Sequence, residues 1–133
     1  MIVDSSALLA IILKEPEALA SATAILQADA ARMSTASYVE VALKLDSIEN
    51  GLDPELDETV AALSIELIPV ALEHAAAARL AAVRFGRKQP ARLNFGDCLA
   101  YGLAKSRGEP LIYKGNDFGK TDLDVIRLDR PRI

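Results

Sequence analysis

Met1–Leu13 reads MIVDSSALLAIIL, and this stretch decides the architecture. Met1–Val3 is a short apolar run ending at Asp4, as expected of a strand buried on both faces. Ser5 to Leu13 follows at once, with Ala7, Leu8, Ala10, Ile11 and Ile12 as the apolar positions of a helix. The same alternation recurs down the chain. Pro16 falls in the first turn of a second helix that runs to about Ala28. Ala31–Ser34 reads as a short strand. Ser37 to about Asn50 reads as a helix, with capping-box spacing at Ser37 and Glu40 and a stop at Asn50-Gly51. Pro54 opens a helix to about Ser64, Ile65–Val70 (IELIPV) reads as a strand, and Ala71–Phe85 is helical up to Gly86. Gly86–Leu93 (GRKQPARL) is a basic loop. Asn94 caps a helix from Phe95 to about Ser106 that Gly108 ends. Pro110–Tyr113 is a strand, Lys114–Thr121 (KGNDFGKT) a turn-rich loop, and Val125–Leu128 the last strand. Strands alternate with helices and no hairpin signal, repeat or linker interrupts them. The fold class is therefore α/β, with parallel strands covered on both faces.

The 133 residues suit one domain, 1–133. With 51% hydrophobic and 26% charged residues, wholesale disorder is excluded. No apolar run is long enough to predict a transmembrane helix. The N-terminal stretch carries an acid at position 4 and no basic region, so no signal peptide is expected. A lone cysteine, Cys98, cannot form an intrachain disulfide. The expectation is a soluble cytoplasmic protein. The balance of 15 basic and 19 acidic residues gives a net charge of −4, which excludes attachment to nucleic acid by bulk positive charge. A local basic patch beside a metal-filled acidic site remains compatible with it. One histidine disfavours a paired-histidine ribonuclease or a His-rich zinc site. Neither GxxxxGK[ST] nor GxGxxG occurs, which removes the nucleotide-binding devices built on them.

In open α/β sheets, ligands bind beyond the carboxyl ends of the strands. Asp4 ends the first strand, and Asp117 lies past the strand ending at Tyr113. Asp97 is in the first turn of the helix before that strand, and Glu40 in the first turn of the helix after Ala31–Ser34. In one sheet, these four carboxylates converge on one edge. At an effective dielectric of about 20, each ionised pair ~5 Å apart costs about 3 kcal/mol. Such a cluster either keeps protons or holds a cation. Oxygen-only ligands select hard ions, Mg²⁺ or Mn²⁺, and such an ion suits hydrolysis of a phosphodiester.

Each acid also has a local explanation. Asp4 favours the N-terminus of the helix it opens, Glu40 completes a capping box, Asp97 at N3 complements the helix dipole, and Asp117 shapes a turn. Ser5 and Ser6 either orient water or cap a helix. His74, in mid-helix among alanines, reads as packed or solvated, and Cys98 as core. Arg87, Lys88 and Arg92, with Arg79 and Arg84, are candidates for RNA-backbone contact, because their loop leads into Asp97. Lys114, Lys120, Arg127, Arg130 and Arg132 form a weaker second set. Receiver-type phosphotransfer or an aspartyl phosphatase would need paired acids or D-x-D after the first strand, where this chain has Asp4-Ser5-Ser6. A non-catalytic binding module is disfavoured because all four acids are present.

MIVDSSALLAII, SYVEVALKL around Glu40, LNFGDCLAYGLAK around Asp97 and LIYKGNDFGKTDL together resemble the PIN domain, most closely its VapC-type toxins, over essentially the whole chain. The resemblance implies an α/β/α sandwich with a central, mainly parallel sheet of four to five strands. It implies a Mg²⁺-dependent endoribonuclease, with Mn²⁺ as substitute, acting as the toxin of a type II toxin–antitoxin pair. Asp4 and Asp97 would be the main metal ligands, Glu40 a third acid and Asp117 the fourth, with Asn116 a second polar candidate at that corner. Tyr113 and Lys114 stand where parts of the family carry a hydroxyl residue and an amide or acid. The implied partners are RNA, a second copy in a homodimer, and a VapB-type antitoxin whose C-terminal segment lies across the active-site groove.

Overall fold

The computed structural model describes residues 1–129. Five strands, β1 (Ile2–Val3), β2 (Ala31–Ser34), β3 (Ile65–Ile68), β4 (Leu111–Tyr113) and β5 (Val125–Arg127), form one sheet in the order β3-β2-β1-β4-β5. Every pairing is parallel. Parallel neighbours need crossovers, and helices supply most of them. Helices α1 (Ser5–Ile12) and α2 (Ala18–Gln27) join β1 to β2, and α3 (Thr35–Glu49) and α4 (Glu55–Ala62) join β2 to β3. Helices α5 (Leu72–Phe85) and α6 (Phe95–Arg107) return the chain to β4. A single 3₁₀ turn, Phe118–Lys120, lies between β4 and β5.

Adjacent strand residues point to opposite faces. Ile2 and Val3, both fully buried, therefore enter different cores. Val3 packs with Leu8, Ile12, Ile25, Met33, Val41, Leu45 and Leu56 under α1–α4. Ile2 packs with Ala78, Ala81, Leu93, Tyr101, Leu103 and Leu111 under α5 and α6. The expected three-layer sandwich results, with five strands, all parallel. Helix α6 stops at Gly108, whose φ of 63° is the left-handed conformation that glycine adopts at least cost.

Several boundaries depart from the sequence reading: α2 starts at Ala18, past Pro16, β3 stops at Ile68 rather than Val70, and α3 starts early. Ser34, the last residue of β2, caps α3 by accepting the Ala36 N–H at 3.1 Å, so the cap lies three residues before Ser37 and the helix starts at Thr35. Strand passes into helix without a loop, and the first serine is placed to take the orphan donor. Ser37 is instead buried inside α3, and Glu40 belongs to the second turn rather than to a cap.

Candidate metal-dependent nuclease centre

Strand order reverses about β1: the chain first builds outward through β2 and β3, then returns to place β4 on β1's other side. The crevice at such a switch point is where α/β sheets put their ligands. Asp4 lies at the carboxyl end of β1, and Asp117 follows β4. Helix α3 starts at the carboxyl end of β2 and carries Glu40. Helix α6 runs down toward the start of β4, so its own N-terminus, with Asp97, stands at the same edge.

Asp4 does two jobs with two oxygens. It caps α1 through Oδ2, which accepts the Ser6 N–H at 3.1 Å and the Ser6 hydroxyl at 2.5 Å. Its Oδ1 is buried and has no hydrogen-bond partner among the described residues. Burial is the main force raising its pKa; the Ser6 hydrogen bonds oppose this, and the charge of Asp117 adds to it. Asn94 caps α6 as expected, and Asp97 closes a capping box with it: the Asp97 N–H donates to Asn94 Oδ1 at 2.9 Å, and Asp97 Oδ2 accepts the Asn94 N–H at 3.0 Å. Burial pushes the Asp97 carboxyl up to about 6 against the Asn94 hydrogen bond, with help from Asp4 and Asp117. Glu40 is pushed up to about 7, first by burial, then by the charges of Asp4 and Asp97, with a hydrogen bond to Ser5 working the other way. Its Oε1 is also buried without a partner. Asp117 is exposed at the start of the 3₁₀ turn.

The structure thus brings all four predicted acids to one edge, where they act on one another electrostatically. Among the described residues, no three acidic, histidine or cysteine side chains already stand as a finished metal site. One oxygen each of Asp4 and Asp97 is engaged at a helix N-terminus. What the edge offers a cation is the pair of unpartnered buried oxygens, Asp4 Oδ1 and Glu40 Oε1. Orphaned buried oxygens are uncommon in folded proteins. An oxygen-only set of this kind fits a hard divalent ion.

The other candidates divide. Asn116 accepts from Arg127 Nη2 at 2.8 Å, which engages both residues. Lys114 pairs with Glu15 and Glu17, each at 3.2 Å. Arg84 pairs with Asp122 and stacks over Phe85. Lys120 is exposed, and Arg130 and Arg132 lie outside the described residues. Arg87, Lys88 and Arg92 are exposed on the loop before α6. Arg87 and Lys88 line a largely apolar groove of about 780 Å³ between α5 and the start of α6. His74 is buried and accepts the Ala71 N–H through Nδ1 at 3.1 Å, capping α5. Cys98 is buried in the core, as expected. Gly96 escaped the sequence reading. A Cβ built on it would overlap the Glu40 carboxyl group, falling 2.6 Å from Oε1 and closer still to Oε2. Only the approach of α3 to α6 reveals this.

The chain is similar to two mycobacterial proteins at 48% identity over 133 residues, spanning 98% of this chain and 99% of theirs. They are "VapC ribonuclease Mb0625" of Mycobacterium bovis and "Ribonuclease VapC28" of Mycobacterium tuberculosis. "Ribonuclease VapC" of Mycolicibacterium smegmatis is 42% identical over 129 residues, covering 95% of this chain and 99% of that one. Among solved structures, a toxin–antitoxin complex from Klebsiella pneumoniae superposes with a TM-score of 0.71 at 17% identity, covering 94% of each chain. VapBC2 from Rickettsia felis, bound to a promoter DNA fragment, superposes with a TM-score of 0.68 at 11% identity, covering 96% of this chain and 98% of that one. These two likenesses are of fold. The PIN domain model matches residues 1–123, and with the full-length VapC relatives it shows that this chain belongs to the PIN-domain family.

Proposed function

We propose that this protein is a metal-dependent endoribonuclease, the toxin of a type II toxin–antitoxin pair. The carrying observation is four acids from separate segments at one sheet edge, two of them, Asp4 and Glu40, each with one buried oxygen that has no hydrogen-bond partner among the described residues. The relatives named as ribonucleases, alike over nearly their whole length, support the activity. Divalent-metal dependence is general among PIN-domain VapC nucleases. Mg²⁺, with Mn²⁺ as substitute, is the ion that the oxygen-only donors favour here.

Asp4 and Asp97 would hold the ion, and Glu40 and Asp117 would complete the set around it. A divalent ion bound there neutralises charge on the scissile phosphate and acidifies water. Asp97 is aimed by its cap to Asn94, and Asp4 by Ser6. Glu40, beside Asp97 at the same edge, would orient the attacking water. Asp117, exposed at the same edge, would add negative charge that attracts the ion. Arg87, Lys88 and Arg92 hold the RNA backbone as it approaches Asp97. The solved likenesses, both antitoxin complexes, support a VapB-type antitoxin as partner, and a homodimer is the proposed assembly. Among the described residues no helix is long and apolar enough to cross a membrane.

The test is RNA cleavage by the isolated protein with Mg²⁺ or Mn²⁺. Asp4→Ala and Asp97→Ala should each lose at least about 100-fold in rate, the upper end of what disturbing a metal shell costs. Undiminished cleavage by both variants would remove this mechanism.

A further inference from the structure

Helix α3 and helix α6 meet where Glu40 faces the first turn of α6. Position 96 there is a buried glycine, and the space its side chain would fill is taken by the Glu40 carboxyl group. The three atoms nearest to a Cβ built at this position are Oε2, Cδ and Oε1 of Glu40. The left-handed conformations recorded elsewhere in the chain do not include Gly96, and the residue lies within α6, so its backbone suits any L-residue. Glycine within a helix weakens it relative to alanine. A buried glycine in a helix conformation, with a carboxylate nearest to where its side chain would stand, serves that carboxylate rather than the backbone.

We infer that Gly96 is a positioning residue: its missing side chain is the seat that admits the Glu40 carboxylate to the acidic edge beside Asp97. This rests on the reading of Glu40 as part of the metal centre. Glu40 hangs on a flexible stem, so a methyl group at position 96 would displace it without moving α6. Asp4, Asp97 and Asp117 would keep their places. The three-acid remainder would resemble the site left when Glu40 itself is removed.

The experiment is a double-mutant cycle on the full chain with Gly96→Ala, Glu40→Ala and both together. It reads Mn²⁺ affinity by calorimetry, RNA cleavage, and the melting temperature of the metal-free protein. Gly96→Ala is expected to melt no lower than the parent, yet to bind Mn²⁺ and cleave RNA about 10- to 100-fold more weakly. The double variant should be no worse than Glu40→Ala alone, because both changes remove one group. If Glu40→Ala is impaired while Gly96→Ala binds and cleaves like the parent, or if the two losses multiply, the seat is overturned. A melting temperature that falls in Gly96→Ala and in the double variant alike would show a backbone requirement and overturn it too. If Glu40→Ala itself binds and cleaves normally, the reading of Glu40 in the metal centre fails instead, and the role of Gly96 with it.

Discussion

The Ser6 hydroxyl donates to Asp4 Oδ2 at 2.5 Å, and Ser6 Oγ itself accepts the backbone N–H of Lys114 at 2.9 Å. One side chain therefore ties the end of β1 to the first residue after β4. It also engages one Asp4 oxygen and leaves the other unpartnered.

Replacing Ser6 with alanine removes both bonds. The Lys114 N–H loses its acceptor, and stability should drop by about 1–2 kcal/mol. Asp4 loses a contact that favours its ionised form, so its proton should become harder to remove. The Mn²⁺ concentration for half-maximal cleavage should rise about 10-fold. Ser6→Thr keeps the hydroxyl and should stay near the parent. Titrating cleavage against Mn²⁺ in both variants checks this; equal curves for the alanine and threonine forms would refute the tie.

The carboxyls of Asp97 and Glu40 sit at about 6 and about 7, and Asp4 is raised too. The folded state thus holds protons that the unfolded chain releases near pH 4. By linkage, this stabilisation is present at low pH and is lost as pH climbs through the folded values. Glu109 is held near 2, where the N-terminal ammonium, Arg107 and Arg32 outweigh burial, and Asp122 is held low by Tyr101 and Lys105. Both stay ionised and do not contribute to this slope. In EDTA, the melting temperature should fall between pH 5 and pH 8. The rise caused by Mg²⁺ or Mn²⁺ should grow over the same window, because protons must leave before the ion binds. Melting curves at both pH values, with and without metal, check it; a metal shift that shrinks toward pH 8 would contradict the shared centre.

Asp117 and Asn116 are adjacent but differently engaged. Arg127 donates to Asn116, whereas Asp117 raises the pKa values of both Asp4 and Asp97. Asp117→Asn should lower those two values and weaken Mn²⁺ binding by about 10-fold. Asn116→Ala should leave the affinity within about twofold. Calorimetry on the two variants separates them, and the reverse order of losses would make Asn116 the fourth member.

Arg87 and Lys88 stand exposed at the rim of the groove that reaches Asn94 and Phe95. Each phosphate contact removed should reduce the salt dependence of RNA binding by about one unit of log–log slope. Arg87→Ala with Lys88→Ala should therefore weaken RNA binding at low salt more than at high salt, and leave Mn²⁺ affinity intact. Binding to an Asp4→Ala background, which prevents cleavage, measures this across a salt series; an unchanged slope would clear the loop of that role.

The alternation of elements was legible because periodicity and caps reported it locally. Asn94 caps α6 as its position before Phe95 announced, and the short Ala31–Ser34 strand kept its bounds. Glu40 reached the right edge for the wrong local reason. S-x-x-E spacing favoured Ser37 as the cap, but Ser34 sits where β2 ends, and geometry chose it. That shift frees Glu40 from capping duty. Gly96 carried no signal at all, because a glycine in the first turn of a helix reads as a loss of propensity. Its use depends on how closely a distant helix approaches, which no window of sequence contains.

The parallel order β3-β2-β1-β4-β5 also sets when this centre can exist. Its acids are spread from position 4 to position 117, and the strand that brings the last of them is inserted beside the first strand made. A nascent polypeptide whose β4 has not yet emerged from the ribosome lacks that corner of the centre. Assembly is thereby timed to the final stage of synthesis, and fragments arrested after α6 should be inert toward RNA even when metal is abundant.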